Sequence, residues 1–334
     1  MVLLIMKDTI WIAWERHRRT IEICKTLNIE LIILDSKLCR IFKHPYFTIL
    51  TIIRLIKYKP KVLFVQNPSI LLTFIACVLK SMLKYTLIVD THNAALDPEN
   101  RLLKLIRKIN FFLHSRSDLT IITNNSLAKF IYNNSQYFVL PDKVPDVDLN
   151  NRKIALKGAI NVVCVCTYGD DEPYSEMFEA ANTFGADVFF YFTGSVKKLS
   201  SKKVINDYTT TSNNIILTGF LPDQDYWSLL KSSDLIIDLT NREACLVCGA
   251  YEAVASEVPL ILSDTKALRE LFVSGAVFTQ NSADKISESI ISAINNLRHL
   301  KNEIILQKQL MNNNWNVLSS ELIDEIDKIK GIRD

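Results

Sequence analysis

Short β-branched runs alternate with longer amphipathic segments along almost the whole of this 334-residue chain, and that alternation admits essentially one class of fold. Strands that recur only after a helix-length connection pair in parallel, because an antiparallel neighbour is reached by a short turn. The runs at 29–34, 62–65, 85–90 and 119–123 are the strands predicted for the first half. Those at 160–167, 188–193, 214–218, 235–239, 259–262 and 276–279 are predicted for the second. Between the two series, Pro141-Asp-Lys-Val-Pro145-Asp-Val-Asp148 has two prolines and no apolar period, which reads as a linker. The expectation is α/β: two tandem Rossmann-like domains, 1–145 and 146–310, each with a parallel sheet. Residues 311–334 are expected to be a helix able to pack on either domain through Trp315 and Leu318. In open parallel sheets ligands bind beyond the carboxyl ends of the strands, so two such domains are expected to face each other across a cleft.

Glycine narrows the function. All eight glycines lie at or beyond Gly158. The first half therefore has no glycine-rich phosphate loop of the dinucleotide-binding or Walker kind. The seven cysteines are odd in number and scattered, and no charged-then-apolar leader opens the sequence, which fits a reducing, cytoplasmic setting. The longest apolar run, residues 70–79, stops at Lys80, whereas a spanning helix needs about 20 residues. Charge is divided unevenly: up to Leu140 there are 20 Lys and Arg against 9 Asp and Glu, and beyond it 19 against 27. A basic half of this kind suits an anionic partner, either phosphate-bearing molecules or the inner face of an acidic membrane. No nucleic-acid partner is expected.

The motifs of the second half concentrate between Thr218 and Asp264. Gly219-Phe220 ends a strand, a helix covers 226–231, an aliphatic strand covers 234–239, Gly249-Ala-Tyr-Glu252-Ala253 opens a helix, and Pro259 begins another strand. In this order the segment resembles the donor-binding half of GT-B glycosyltransferases, especially family 4 (group 1) and the chitobiosyldiphosphodolichol β-mannosyltransferases; with the matches below, the resemblance spans roughly residues 10 to 300. It implies a nucleotide-sugar donor. A helix amino terminus offers N–H groups to the diphosphate, Gly249 lets the backbone approach, and Glu252 accepts from the ribose hydroxyls. Many relatives carry a second glutamate eight residues earlier, where this chain has Ala244, so Glu243 is the nearest acid for the donor sugar. Family 4 members usually hold an arginine and a lysine after the first strand of this half, but here Thr167-Tyr-Gly-Asp-Asp-Glu-Pro173 is acidic. Arg242, Lys266 and Arg269 are then the candidates for phosphate charge.

In the first half, Gln66-Asn67-Pro68 and Asp90-Thr-His92-Asn93 resemble the turns that end two strands of the same transferases. His92, at a strand's carboxyl end, is the candidate general base or donor-sugar contact, with Glu15 as the alternative base. Asn67 and Asn93 are expected beside the acceptor. Arg16, His17, Arg18 and Arg19 follow Glu15 in the first strand-to-helix loop, and arginine forks match the phosphate oxygens of a lipid diphosphate. Two Asp-x-Asp pairs, at 146/148 and 223/225, fit a metal-held diphosphate, but one lies in the linker and one opens a helix. No metal and no cofactor beyond the nucleotide-sugar substrate is expected. Cys245-x-x-Cys248 lacks a second pair and reads as core packing.

The resemblance thus implies a metal-independent, hexosyl-type transferase acting on a lipid- or glycan-linked acceptor in surface polysaccharide or glycoconjugate assembly. Two rival readings share the fold: a non-catalytic partner subunit of an active transferase, and an NDP-sugar 2-epimerase. The second half, with His299 its only histidine, is poor in the acid–base groups an epimerase needs.

Overall fold

A computed structural model describes residues 8–36, 39–67, 69–96, 103–131, 135–147, 153–195, 197 and 213–331. Pro68 and Asp148 of the motifs above lie outside the described residues. The chain divides into two compact units, residues 1–143 with 314–334, and residues 144–313.

The first unit is a six-stranded parallel sheet in the order β2-β1-β3-β4-β5-β6: β1 (Thr9–Ala13), β2 (Glu30–Ile33), β3 (Val62–Asn67), β4 (Thr86–Thr91), β5 (Leu119–Ile122) and β6 (Tyr137–Val139). Strands β1, β3 and β4 are buried along their whole length, as expected of interior strands covered on both faces. The chain leaves β1 toward β2 and then reverses to lay down β3 to β5. Right-handed crossovers therefore place α1 (Arg18–Leu27) on one face of the sheet. Helices α2 (Arg40–Tyr58), α3 (Ile70–Leu83) and α5 (Leu103–His114) go on the other, with α4 (Asn93–Leu96) a single turn after β4. Two cores result. Phe47, Leu55, Leu72 and Ile75 pack on the α2–α3 side, and Ile23, Leu27, Trp315 and Leu322 on the α1 side.

A half-chain without glycine must end its helices another way. Asn28, Lys59 and Lys84 take the left-handed conformation at φ of 50°, 44° and 55°, each closing a helix with its own N–H on a carbonyl of the last turn. Glycine is the cheaper residue there, since a Cβ costs about 1 kcal/mol in that region.

The second unit repeats the plan in the order β12-β11-β10-β7-β8-β9: β7 (Ile160–Cys164), β8 (Val188–Thr193), β9 (Ile215–Gly219), β10 (Leu235–Asp238), β11 (Leu260–Ser263) and β12 (Ala276–Thr279). Helix α6 (Tyr174–Asn182) covers one face. Helices α7 (Asp223–Ser232), α8 (Cys248–Ser256) and α9 (Lys266–Leu271) cover the other, and α10 (Ala283–Asn295) returns to pack beside α6. The last helix, α11 (Leu297–Gly331), runs for 35 residues. Its Ile304 and Met311 enter the core of the second unit, whereas Trp315, Leu322 and Ile326 enter that of the first. The tail that the sequence leaves open thus belongs to the first unit, where Trp315 Nε1 donates to Pro141 O at 3.1 Å.

Candidate functional site

In each sheet one pair of adjacent strands sends its connections in opposite directions, and the crevice between those connections is where an open α/β sheet takes ligands. In the first unit the pair is β1 and β3; in the second it is β7 and β10.

At the β1/β3 point the loops bound a cavity of about 310 Å³, lined by Trp14 and Glu15 after β1, Gln66 at the end of β3, Ser69, and Lys43 and His44 from α2. Trp14 is fixed by its Nε1 donating to Thr51 Oγ1 at 3.1 Å. Glu15 is exposed at this wall. Arg16 is exposed before α1, and Arg18, also exposed, opens that helix.

Arg19 is placed otherwise than an acceptor-gripping arginine. Only 4% exposed, it donates from Nε to both Asp90 oxygens at 3.0 and 3.2 Å and from Nη1 to Asp142 at 2.7 Å. Burial alone would raise the Asp90 carboxyl, yet the Arg19 guanidinium beside it, with His92 behind, holds it well below the carboxylate range. Asp90 is therefore a fixed anion at the carboxyl end of β4. Its Oδ2 lies 3.4 Å from His92 Nε2, and the His92 ring meets His17 edge to face with centroids 4.4 Å apart. Burial, then the neighbouring His92, pushes His17 below its ordinary value, so it stands as a neutral imidazole. Buried His17 Nδ1 and Asn93 Oδ1 have no hydrogen-bond partner among the described residues, an arrangement suited to receiving a polar ligand. The site thus offers a histidine pair backed by an anchored carboxylate, which can accept and relay a proton.

Asn67 lies beneath this wall. It is fully buried, and its Nδ2 donates to Asn110 Oδ1 at 3.2 Å and lies 3.2 Å from His114 Nε2. Its Nδ2 group belongs to a structural network, with Thr91 Oγ1 also 3.1 Å from that histidine nitrogen.

At the β7/β10 point Glu252 sits one turn into α8, with its Oε2 accepting from Tyr226 OH at 2.7 Å. Burial and then the Glu252 carboxylate push the Tyr226 hydroxyl well above its ordinary value, so it remains a donor. The amides around this crevice are already used by the chain's own carboxylates. Glu172 takes the N–H of Thr167 at 2.9 Å and of Tyr168 at 2.7 Å, so the acidic turn after β7 folds back over its own strand end. Asp238, the last residue of β10, takes the N–H groups of Gly249 and Ala250 at the start of α8. A Cβ at Gly249 would stand 2.5 Å from Asp238 Oδ2 and 2.9 Å from Val165 Cγ1, so the side chain that needs this glycine is the aspartate. Burial first, then Glu172 and Glu252, raise the Asp238 carboxyl well above the usual range. Glu243 Oε1 accepts from Lys266 N at 3.0 Å, in the first turn of α9.

The expected phosphate cations lie in the loop after β10 and in α9. Arg269 is exposed, paired with Asp264 and laid over the Phe278 ring at 4.4 Å. Lys266 reaches Glu270, 3.7 Å away, in solvent. Arg242 is half-buried in the loop between β10 and α8, its N–H donating to Thr240 Oγ1 at 3.2 Å. Asp223 and Asp225 are exposed in the first turn of α7, where carboxylates complement the helix dipole. Among the described residues no three His, Cys, Asp or Glu converge as a metal site. Cys245 is half-buried and Cys248 exposed at the start of α8, so Cys248 does not serve the core as its apolar surroundings suggest.

Residues 156–310, which hold the whole second sheet, match the family model described as glycosyl transferases group 1. Over that span the second unit is similar to the group 1 glycosyl transferases. The two-sheet GT-B fold extends the likeness over the chain. A structure of Anabaena HepE in complex with UDP and glucose has a TM-score of 0.74 at 10% identity, over 96% of this chain and 99% of that one. The sucrose-phosphate synthase of Thermosynechococcus elongatus gives 0.73 at 12%, over 91% and 84%. A glycosyltransferase from Rickettsia africae gives 0.72 at 12%, over 96% and 98%. No curated protein matches the chain in sequence. The resemblance to β-mannosyltransferases in particular receives no separate support from these matches.

Proposed function

We propose that the protein is a group 1 transferase that moves a hexose-type unit from an NDP-sugar bound by the second unit to a lipid- or glycan-linked acceptor bound by the first. The proposed setting is surface polysaccharide or glycoconjugate assembly at the cytoplasmic face of a membrane. The observation that carries the reading is Glu252: within the family match, at the switch point, it presents a carboxylate steadied by Tyr226 where a ribose needs an acceptor. The cavity beside Glu15 and the His17–His92 pair supply the acceptor side and its base. The transfer needs no divalent cation in this reading, which assigns the diphosphate to Arg242 and to those amides at the start of α8 that a phosphate would take over from Asp238.

One observation favours the second reading, a non-catalytic partner subunit. Glu172 and Asp238 occupy backbone amides at both strand ends of the donor crevice, as a phosphate would. A thermal-shift panel of UDP, GDP, ADP, TDP and CMP separates the two, because a ligand at about 100 times its Kd stabilises the native state by ~2.7 kcal/mol. Stabilisation by one nucleotide, unchanged in EDTA and weakened several-fold in a Glu252→Ala variant of unaltered melting temperature, is the expected result. Absence of any shift would replace the transferase with the partner subunit.

A further inference from the structure

Helices α2 and α3 pack side by side in one layer over the first sheet, with α5 next to α3. The outer surface of that layer is apolar. On α2, Phe42, Tyr46, Ile49, Ile53 and Ile56 are 66, 46, 57, 52 and 54% exposed, at spacings of four and three that keep them on one stripe. At about 100° per residue the stripe lies opposite Phe47, Thr51 and Leu55, which face the core. Helix α3 carries a parallel stripe of Leu71, Phe74, Val78 and Met82, the last 73% exposed. With Ile41 these are ten large apolar side chains. At roughly 100 Å² apiece they exceed the largest apolar patch of an ordinary soluble monomer, roughly 300–600 Å².

Charge says what covers this surface. From Ser36 to Val89 the sequence holds nine Lys and Arg and not one Asp or Glu. Arg54 and Lys57 flank the α2 stripe on one side, and Lys59 and Lys84 close the ends of the two helices. Helix α2 spans about 28 Å at 1.5 Å per residue, and among the described residues no helix is long and apolar enough to cross a membrane. An apolar stripe with cationic flanks on a helix that does not span is the pattern of side-on insertion at the headgroup boundary. A protein partner of matching chemistry would have to offer an equally one-signed acidic rim, whereas an anionic leaflet offers it everywhere.

We propose that the outer face of α2 and α3 docks the protein side-on into an anionic lipid bilayer. Lys43 and Leu71, in the first turns of these helices, also line the cavity beside Glu15, so docking sets that cavity at the bilayer surface. A lipid-linked acceptor then reaches it without leaving the membrane. That last consequence rests on the transferase reading; the docking does not.

The test uses the full chain and vesicles of phosphatidylcholine, with and without about 30% phosphatidylglycerol. Wild type should co-sediment with the anionic vesicles and keep part of its binding at about 1 M salt, where charges are screened within about 3 Å. An Ile49→Asp/Ile53→Asp variant, altered only at exposed positions, should keep its melting temperature and lose binding about tenfold at either salt. An Arg54→Gln/Lys57→Gln variant should lose affinity at low salt only. Pelleting of the aspartate variant equal to wild type would overturn the proposal. So would light scattering that shows a wild-type dimer split by those two substitutions, since a second copy would then own the face. Nucleotide affinity, measured on the same preparations, should be equal across the variants. Its absence throughout would remove the transferase reading and leave the docking result standing.

Discussion

His114 shows how a residue can be sensitive to pH without touching substrate. Burial pushes it down to about 4 from an ordinary 6.5, with its Nε2 facing Asn67 and Thr91 and its Nδ1 buried without a partner among the described residues. A histidine depressed in the folded state contributes stability that is fully present above its unfolded value and is lost as pH falls through the folded one. Between pH about 6.5 and about 4 the loss approaches ~3 kcal/mol, at 1.36 kcal/mol per unit. Urea unfolding at the two ends of that window should show it, and His114→Gln, which keeps an amide against Asn67, should lose about 3 kcal/mol less. An equal acid loss in both proteins would place the lability elsewhere. Arg19 teaches a related lesson: a run of arginines in a loop says nothing about which one turns inward, and only the distant Asp90 and Asp142 decide it.

Among the elements, α8 depends on a contact that joins the end of β10 to the helix start. The Asp238 carboxylate fills the space a Cβ would need at Gly249. Gly249→Ala should therefore cost ~1–3 kcal/mol by overpacking, or roughly 2–4 °C of melting temperature per kcal/mol for a unit of this size. Adding Asp238→Ala should return part of that loss. No shift in the single variant would show that the aspartate moves aside freely.

This coupling also marks where the sequence stops being legible. Ten of the twelve described strands were readable to within a few residues as short apolar runs, 188–193 and 276–279 coinciding with β8 and the edge strand β12, whereas β1, though fully buried, is not among the predicted runs. The three-residue β6 carries too few positions for any period. The Gly-x-x-Glu pattern singles out Glu252 as a candidate, but the hydrogen bond from Tyr226 crosses between helices and has no signature along the chain. The acids Glu172 and Asp238 read as a turn and a strand end. Their seats on backbone amides follow from the reversal of strand order at β7 and β10, which becomes visible only once the sheet is assembled.

For the molecule as a whole, α11 matters most, since its residues serve two cores in succession. Trp315 is 2% exposed and bonded to Pro141, so Trp315→Ala should remove ~3–5 kcal/mol from the first unit and little from the second. Calorimetry should resolve this as a fall in one transition, two units of separate cores being poorly described by a single one. A fall confined to the other transition would contradict the division of the chain at Asn314.

The same division reaches back to biosynthesis. Residues 144–313 are contiguous and can close their core as soon as they leave the ribosome, whereas the first unit lacks Trp315, Leu322, Ile326 and Ile329 until the last segment is made. The half translated first is thus the half finished last. While the second half is being synthesised, at about 5–20 residues per second, the surface meant for those four side chains stays uncovered for roughly ten seconds or more. In that interval nascent chains, not mature protein, are the species most in need of a chaperone.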